Sequence, residues 1–197
     1  MDDIYKTITK PAEGYLTEKK SKFLSFIYSV DSVDEAMELI EEYRKKYYNA
    51  RHVCWAYMIG PDREEFRFND DGEPSGTAGK PILGQINSFE LTNVLILVVR
   101  YFGGTLLGTG GLIRAYKEAA ANAISNAKIV EKTVDEMINI HFDYTLLNDV
   151  MRVLKQFESA TWTQDFTESC RMTLTIRKSI SDQLREILSS IYGVEVS

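Results

Sequence analysis

One stretch of this sequence, Leu91–Ala127, constrains the fold more than any other. It opens with the apolar, largely β-branched run Val94–Val99, which predicts a strand buried on both faces inside a sheet. A glycine-rich turn runs from Arg100 to Gly111, and an alanine-rich segment follows in which apolar residues recur every three or four positions. That spacing predicts a helix that packs one face against the sheet.

The glycine-rich turn is a candidate binding site for an anion. Residues without Cβ can take positive φ values and let a ligand come close; the glycines concerned are Gly103, Gly104, Gly108, Gly110 and Gly111. The first amides of the following helix have no partner within the helix and carry the positive end of its dipole. Arg100 and Arg114 flank the turn, and guanidinium groups suit phosphate. The alternative, that these glycines only allow a tight connection, stays open.

Two common nucleotide-binding motifs are excluded by the residues of this turn. Gly103 and Gly108 have the spacing of a P-loop, but Thr109 stands where that motif needs a lysine. Gly108 and Gly110 begin a dinucleotide-binding fingerprint, but Ile113 stands at its third glycine. Any phosphate site in this turn therefore follows neither pattern.

A second candidate site is the loop Asn69–Pro81, which carries three carboxylates around one glycine. Within it, Asp71 and Glu73 could bind a metal ion or transfer a proton, with His52 of a predicted strand nearby. Lys80, near the end of this loop, adds a cation that could contact phosphate. Aspartate, glycine and proline also make ordinary surface turns, so a loop without chemistry is the competing interpretation.

Composition limits the classes of partner. A net charge of −6 argues against a non-specific nucleic-acid binder, which carries a strongly basic surface. Dividing the chain after Glu131 shares that charge equally, so any contact with RNA has to be local. Lys19, Lys20 and Lys22 precede a predicted strand and are interpreted as its solvated edge.

The expected compartment is the cytoplasm. No apolar run approaches the ~20 residues of a membrane-spanning helix. The segment Met1–Lys6 is acidic and polar and shows no secretory signal. Cys54 and Cys170 are far apart in sequence and form no metal or disulfide motif, which favours a reducing environment.

Periodicity predicts two domains of the α+β class, residues 1–131 and 132–197. Upstream of the central stretch, Ser32 and Glu35 predict a capped helix, whereas Tyr5–Lys20 is polar with few apolar anchors. From about Thr133 the pattern restarts in the order β-α-β-β-α-β, which is the ferredoxin-like arrangement. This second domain shows no catalytic constellation and is expected to bind or to act as a scaffold.

The run Arg100–Gly108, continuing through Gly111–Tyr116, resembles the signature of the IMPACT/YigZ family. The resemblance extends upstream to Asp71–Pro74 and Arg51–Tyr57, and it covers nearly the whole chain in the two-domain layout of bacterial members. It implies a first domain with the ribosomal protein S5 domain 2-like fold. It also implies a ferredoxin-like second domain similar to domain V of elongation factor G.

The same resemblance implies translation as the functional context. The fold implied for the first domain also occurs in domain IV of elongation factor G, so RNA near the ribosome is the expected surrounding. Eukaryotic relatives preserve translation initiation by competing for the activator of a stress kinase, and they carry an extra RWD domain. This chain is expected to lack that domain, so kinase regulation is not transferred to it. The resemblance supplies no catalytic residues.

The first functional hypothesis is a non-enzymatic protein that contacts RNA, the ribosome or a ribosome-associated partner in translation or its regulation. Arginine and lysine would hold phosphate while aromatic rings stack on an unpaired base; the residues in these roles are Arg100, Arg114, Lys80, Tyr101 and Phe102. This hypothesis expects no cofactor, no membrane and no specificity for DNA.

The alternative hypothesis is a small enzyme acting on a nucleotide or another phosphorylated substrate. In that case Gly103–Gly111 would hold the phosphates, and Asp71, Glu73 and His52 would supply metal ligands or a base. If the chain bound neither RNA nor nucleotide, a protein-interaction module would be the remaining interpretation.

Overall fold

The structure is a computed structural model that describes residues 3–166 and 169–197. Met1 and Asp2, which belong to the segment expected to lack a secretory signal, lie outside that range. The described elements, in chain order, are β1 Ile4–Ile8, β2 Ala12–Glu18, β3 Ser21–Ser29, α1 Val33–Lys46, β4 His52–Ile59, β5 Glu65–Asn69, α2 Gly79–Ser88, β6 Val94–Tyr101, α3 Gly108–Asn126, β7 Ile129–Thr133, β8 Asp135–Phe142, a 3₁₀ turn Tyr144–Leu146, α4 Leu147–Leu154, β9 Thr161–Phe166, β10 Cys170–Arg177, α5 Lys178–Ser189 and β11 Glu195–Val196. None of the helices within these ranges is long and apolar enough to cross a membrane.

The described chain divides into two compact units. The first unit is Tyr5–Lys132, and the second combines Asp3 and Ile4 with Thr133–Ser197. The assignment of Asp3 to the second unit has a clear physical basis. Its carboxylate accepts hydrogen bonds from the Arg177 guanidinium at 2.7 and 2.5 Å and from the Ser179 amide at 3.0 Å.

The first unit is built on a five-stranded antiparallel sheet in the order β2-β3-β6-β4-β5. Strand β6 is central, and its residues from Val94 to Arg100 are buried, as the apolar run predicts. One face of the sheet packs against α1, and the opposite face packs against α2 and α3. Both faces are therefore covered near the middle of the sheet, which explains why β6 reads as a continuous apolar run. Strands β1 and β7 form a separate two-stranded sheet.

The helices of the first unit follow from local sequence. The side chain of Ser32 accepts a hydrogen bond from the Glu35 amide at 3.2 Å, which confirms the predicted cap of α1. Basic residues in the last turn of α1 complement the negative end of its dipole. Helix α3 buries the predicted stripe of small and apolar residues against the sheet: Leu112, Tyr116, Ala119, Ala120 and Ala123.

The second unit has a four-stranded antiparallel sheet in the order β11-β8-β10-β9. Together with α4 and α5 this is the β-α-β-β-α-β arrangement that the sequence predicts. The inward residues of β8 and β10, such as Ile140 and Leu174, pack against Val150 of α4 and Leu184 of α5 in one apolar core. The mixed α/β class with two units is thus confirmed.

Candidate functional site

Three connecting segments meet at the end of the first unit's sheet where β6 finishes. The first is the segment Phe102–Leu107, here called the glycine turn, which joins β6 to α3. The second is the hairpin turn Lys19–Lys20 between β2 and β3, and the third is the loop Asp70–Ala78 that leads into α2. A chain of polar contacts joins them. Gly103 N donates to Ser21 Oγ at 3.2 Å, and the buried Arg100 guanidinium contacts Ser21 and Glu73.

Gly103 is the tightest point of this arrangement. A Cβ built on Gly103 would lie 2.1 Å from the Lys20 carbonyl carbon and 2.2 Å from the Ser21 amide nitrogen. The glycine turn and the hairpin turn therefore pack backbone against backbone, and only glycine fits there. Gly104 and Gly108 serve a different purpose, since their φ values are +84° and +72°. Gly110, inside the first turn of α3, faces open space.

Arg100 does not occupy the position that a phosphate contact requires. It is only 5% exposed, and its Nη1 donates to Glu73 Oε1 at 2.6 Å. Its guanidinium also lies over the rings of Phe23 and Phe102, at 5.6 and 5.7 Å from their centroids. The sequence-based role of Arg100 as a surface cation is therefore corrected to a buried one that supports the turn from beneath.

Strand alternation contains the signal for this burial. Val94, Ile96 and Val98 pack in the core under α2 and α3, and Arg100 continues the same series two residues further on. Tyr101 instead follows Leu95, Leu97 and Val99 on the face that α1 covers. An arginine that follows a core series at the end of a strand needs a buried anionic partner, and the loop before α2 supplies Glu73.

Glu73 is the centre of a buried polar cluster. Its Oε1 accepts a hydrogen bond from the Tyr116 hydroxyl at 2.8 Å in addition to the Arg100 bond, and His52 Nε2 lies 3.7 Å away. The Cys54 thiol donates to Tyr116 Oη at 3.3 Å. Burial raises the pKa of both Cys54 and Tyr116, so both groups stay protonated at neutral pH. Neither is an activated nucleophile.

His52, Asp71 and Glu73 come together only in part. His52 Nδ1 lies 2.7 Å from the Asp71 carbonyl oxygen, which can only accept, so this nitrogen carries the proton. The carboxylate of Asp71 points elsewhere, to the Val53 amide at 2.6 Å and to Arg44 at 3.1 Å. Across the ranges that the structure describes, no three His, Cys, Asp or Glu residues are placed to hold a metal ion.

The remaining carboxylate of the loop has a structural role. Asp70 accepts hydrogen bonds from the amides of Gly76, Ala78 and Gly79 at 2.8 to 3.0 Å. It therefore satisfies the start of α2, where Ala78 has no capping side chain of its own. The start of α3 differs, because Leu107 precedes it and no side chain caps its first amides.

The outer surface of this end carries cations and apolar groups. Lys80, in the first turn of α2, and Arg114, in the second turn of α3, are both exposed. Neither forms an ion pair with any residue in the described part of the chain. Phe102 and Leu106 of the glycine turn are 49% and 82% exposed. Lys80, Arg114 and Phe102 are thus each accessible to solvent.

A groove beside the glycine turn is a feature that the sequence does not predict. It has a volume of about 610 Å³ and is lined by Tyr15, Lys20, Lys22, Leu24, Asn49, Tyr101 and Phe102. The lysine cluster is visible in the sequence, but its pattern indicates only a solvated edge. What the sequence does not contain is the strand order, which places β3 beside β6 and β2 beside β3.

Comparison with known sequences gives consistent relatives. The family described as "Impact N-terminal domain" matches residues 19–124. The IMPACT family member YvyE of Bacillus subtilis is 37% identical over 152 residues, which are 77% of this chain and 70% of the relative. An IMPACT family member of Haemophilus influenzae is 33% identical over 174 residues, or 87% of this chain and 82% of the relative.

Comparison with solved structures supports the fold. The crystal structure of a hypothetical protein superimposes with a TM-score of 0.75 at 27% identity, covering 100% of this chain and 97% of the other. Yih1, described as a two-domain translational regulator, is 24% identical over 62% of this chain and 47% of its own, with a TM-score of 0.38. A likeness at that level says nothing about what the present chain does.

Proposed function

This chain belongs to the IMPACT family, and from that premise we propose that it is a non-enzymatic binding protein linked to translation or its regulation. Its ligand is RNA at or near the ribosome, held at the glycine-turn end of the first unit. Family membership supports the link to translation through the fold that the family is expected to share with elongation factor G. We also propose that the protein acts in the reducing cytoplasm.

One observation carries the choice of ligand: at this end of the unit the carboxylates are engaged within the protein, whereas cations are exposed to solvent. The carboxylates Asp70, Asp71 and Glu73 are all engaged by amides or arginines of the protein. The cations Lys80 and Arg114 are exposed, and within the described residues they have no ion-pair partner. A protein of net charge −6 thus presents a local surface that attracts anions.

Each group has a separate part in the proposed contact. Lys80 and Arg114 bind phosphates, and the uncapped amides at the start of α3 donate to a further phosphate oxygen. Gly108 and Gly110 let the RNA backbone approach, since no atom lies within 4 Å of a Cβ built at either position. Arg100 is a positioning residue that holds the turn through Glu73 and the Phe102 ring.

Co-sedimentation with ribosomes at low and moderate salt tests this proposal. We expect salt-sensitive binding that is weakened in the Lys80→Ala/Arg114→Ala variant. The slope of the salt dependence should fall by about one unit for each phosphate-binding side chain that is removed. Arg100 is not a suitable target because it is buried.

A charge-matched control removes two exposed lysines elsewhere, in the Lys10→Ala/Lys128→Ala variant. Equal binding by both variants and the wild type would overturn the assignment of the site. A rise in melting temperature with a nucleotide and Mg²⁺, in the absence of ribosome binding, would favour the enzymatic alternative.

A further inference from the structure

The groove beside the glycine turn has a definite origin in the sheet. Direct partners in antiparallel strands share a face, and Tyr15 pairs with Leu24 while Lys22 pairs with Tyr101. These residues lie on the face that α1 covers, but α1 ends at Lys46 and leaves this corner open. The resulting groove of about 610 Å³ falls within the size range of small-ligand sites.

Aromatic rings in the groove are exposed yet held in place. Tyr15 is 54% exposed, and its hydroxyl accepts a hydrogen bond from Thr17 Oγ1 at 2.9 Å. The Tyr101 hydroxyl donates to Asn49 Oδ1 at 3.0 Å. Phe102 is supported by the buried guanidinium of Arg100, while about half of its surface faces solvent. Rings fixed in this way lose little conformational freedom when they stack on a planar ligand.

The charged side chains that line the groove are all cationic. Lys20 and Lys22 are exposed, and no carboxylate lines the groove. Neither lysine forms an ion pair with a residue in the ranges 3–166 and 169–197. The backbone of Lys20 has a φ of +67°, a region that is strained for a residue with a side chain. At the rim of the groove, Gly103 packs directly against the carbonyl group of this strained residue.

We propose that this groove binds an unpaired segment of RNA, with a base stacked on Tyr15 and Phe102 and its phosphates held by Lys20 and Lys22. The proposal deepens the proposed function and rests on it. Stacking requires a base face that is free, which a duplex does not offer. Exposed rings combined with unpaired lysines are the two components of single-strand sites. A peptide has no repeating phosphates to match the lysines, so it is the weaker occupant.

Fluorescence anisotropy with a labelled oligouridine ten nucleotides long tests the stacking. The Tyr15→Leu/Phe102→Leu variant keeps apolar volume but removes both rings. We expect its affinity to fall by about 5- to 150-fold per stacked base, with an unchanged salt dependence. The Lys20→Gln/Lys22→Gln variant is expected to bind with a shallower salt dependence, by roughly 0.7 in slope for each lysine replaced. Urea midpoints of both variants check that they are folded.

Two ligands and one variant complete the design. An RNA duplex of the same length and uridine monophosphate should both compete poorly; equal competition by either would overturn the assignment to an unpaired RNA segment. The Lys10→Ala/Lys128→Ala variant, which removes two exposed lysines outside both proposed contacts, should keep the stacking response. Wild-type affinity of the ring variant for oligouridine would also overturn the inference.

Failure of this inference can be told apart from failure of the proposed function. Ribosome binding that depends on Lys80 and Arg114, without any binding of oligouridine, would sink the groove assignment and leave the proposed function standing. Oligouridine binding that depends on the two rings, without ribosome binding, would reject the proposed function and leave the groove assignment standing. Binding of neither RNA would reject both.

Discussion

Gly103 and Gly110 stand seven residues apart in the same glycine-rich sequence, yet the structure gives them opposite tolerances. A Cβ at Gly103 would overlap the backbone of Lys20 and Ser21, whereas a Cβ at Gly110 would meet nothing within 4 Å. We expect Gly103→Ala to lower the free energy of unfolding by roughly 1–3 kcal/mol, as overpacking does.

Gly110→Ala is the matched control. It lies inside α3, where alanine is favoured over glycine by up to about 1 kcal/mol, so the free energy of unfolding should stay level or rise. Urea unfolding of both variants decides the matter. A loss at Gly110 as large as that at Gly103 would contradict the close packing of Gly103 against Lys20 and Ser21.

The ion pair between Glu73 and Arg100 gives a second prediction. Both side chains are nearly inaccessible, so Glu73→Ala leaves a buried, uncompensated guanidinium and should cost about 3–5 kcal/mol in unfolding free energy. Arg44→Ala breaks an exposed pair with Asp71 and should cost no more than about 1 kcal/mol. Equally small losses would mean that Arg100 reaches water, which would restore it as a candidate phosphate contact.

At the scale of single residues, the sequence predicts local patterns better than it predicts contacts between residues that are distant in the chain. The glycine turn and the continuous apolar run of β6 are visible in the printed residues. The alternating faces of a strand also place Arg100 in the buried series, but its partner Glu73 lies 27 residues away on a loop. Such a pairing depends on the path of the chain, which periodicity does not contain.

At the scale of elements, α2 depends on one side chain that precedes it. Asp70 accepts three amide hydrogen bonds at the end of the loop and the start of α2. Asp70→Ala should therefore lower the free energy of unfolding by about 0.5–2 kcal/mol, the usual range for a lost cap. Asp70→Asn keeps an acceptor oxygen and should retain most of the stability. Chemical denaturation of the two variants provides the comparison, and equal losses would argue against the hydrogen-bonding role.

Strong periodicity explains which elements the sequence can predict. The strands β4 and β6 and the helices α1 and α3 carry long apolar series, and the structure confirms them. Strand β2 and all of β1 after Ile4 lie in the polar segment Tyr5–Lys20, and β2 is partly or fully exposed throughout. Edge strands need few apolar residues because one side faces solvent, so their pattern is weak. The groove escapes prediction for this reason, since β2 supplies Tyr15.

At the scale of the whole molecule, the ion pair between Asp3 and Arg177 should weaken in acid. The Arg177 guanidinium, and then the Ser179 amide and hydroxyl, hold the pKa of the Asp3 carboxyl well below its usual range. A pKa lowered in the folded state adds stability that is present above the unfolded pKa of about 3.9 and is lost as the pH falls below it. Stability of the second unit should therefore decline between about pH 5 and pH 2.

Fluorescence can follow that unit separately, because the chain has two tryptophans and Trp162 lies in the second unit. In a Trp55→Phe background, Asp3→Asn should flatten the loss of stability with falling pH. Asp182→Asn, at an exposed position on α5, should leave it unchanged. Glu136, whose pKa is lowered by Ser181 and Arg185, keeps part of the slope in every variant. A full slope in Asp3→Asn would exclude the proposed linkage.

The pairing of Asp3 with Arg177 also determines when the second unit can be completed during synthesis of the chain. The two residues are 174 positions apart. At a translation rate of about 5–20 residues per second, Asp3 is added to the chain roughly 9–35 s before Arg177. Asp3 and Ile4 are synthesised before the first unit but belong to the unit that is completed after it. A chain halted before Arg177 could finish its first unit while these early residues still lacked their partner.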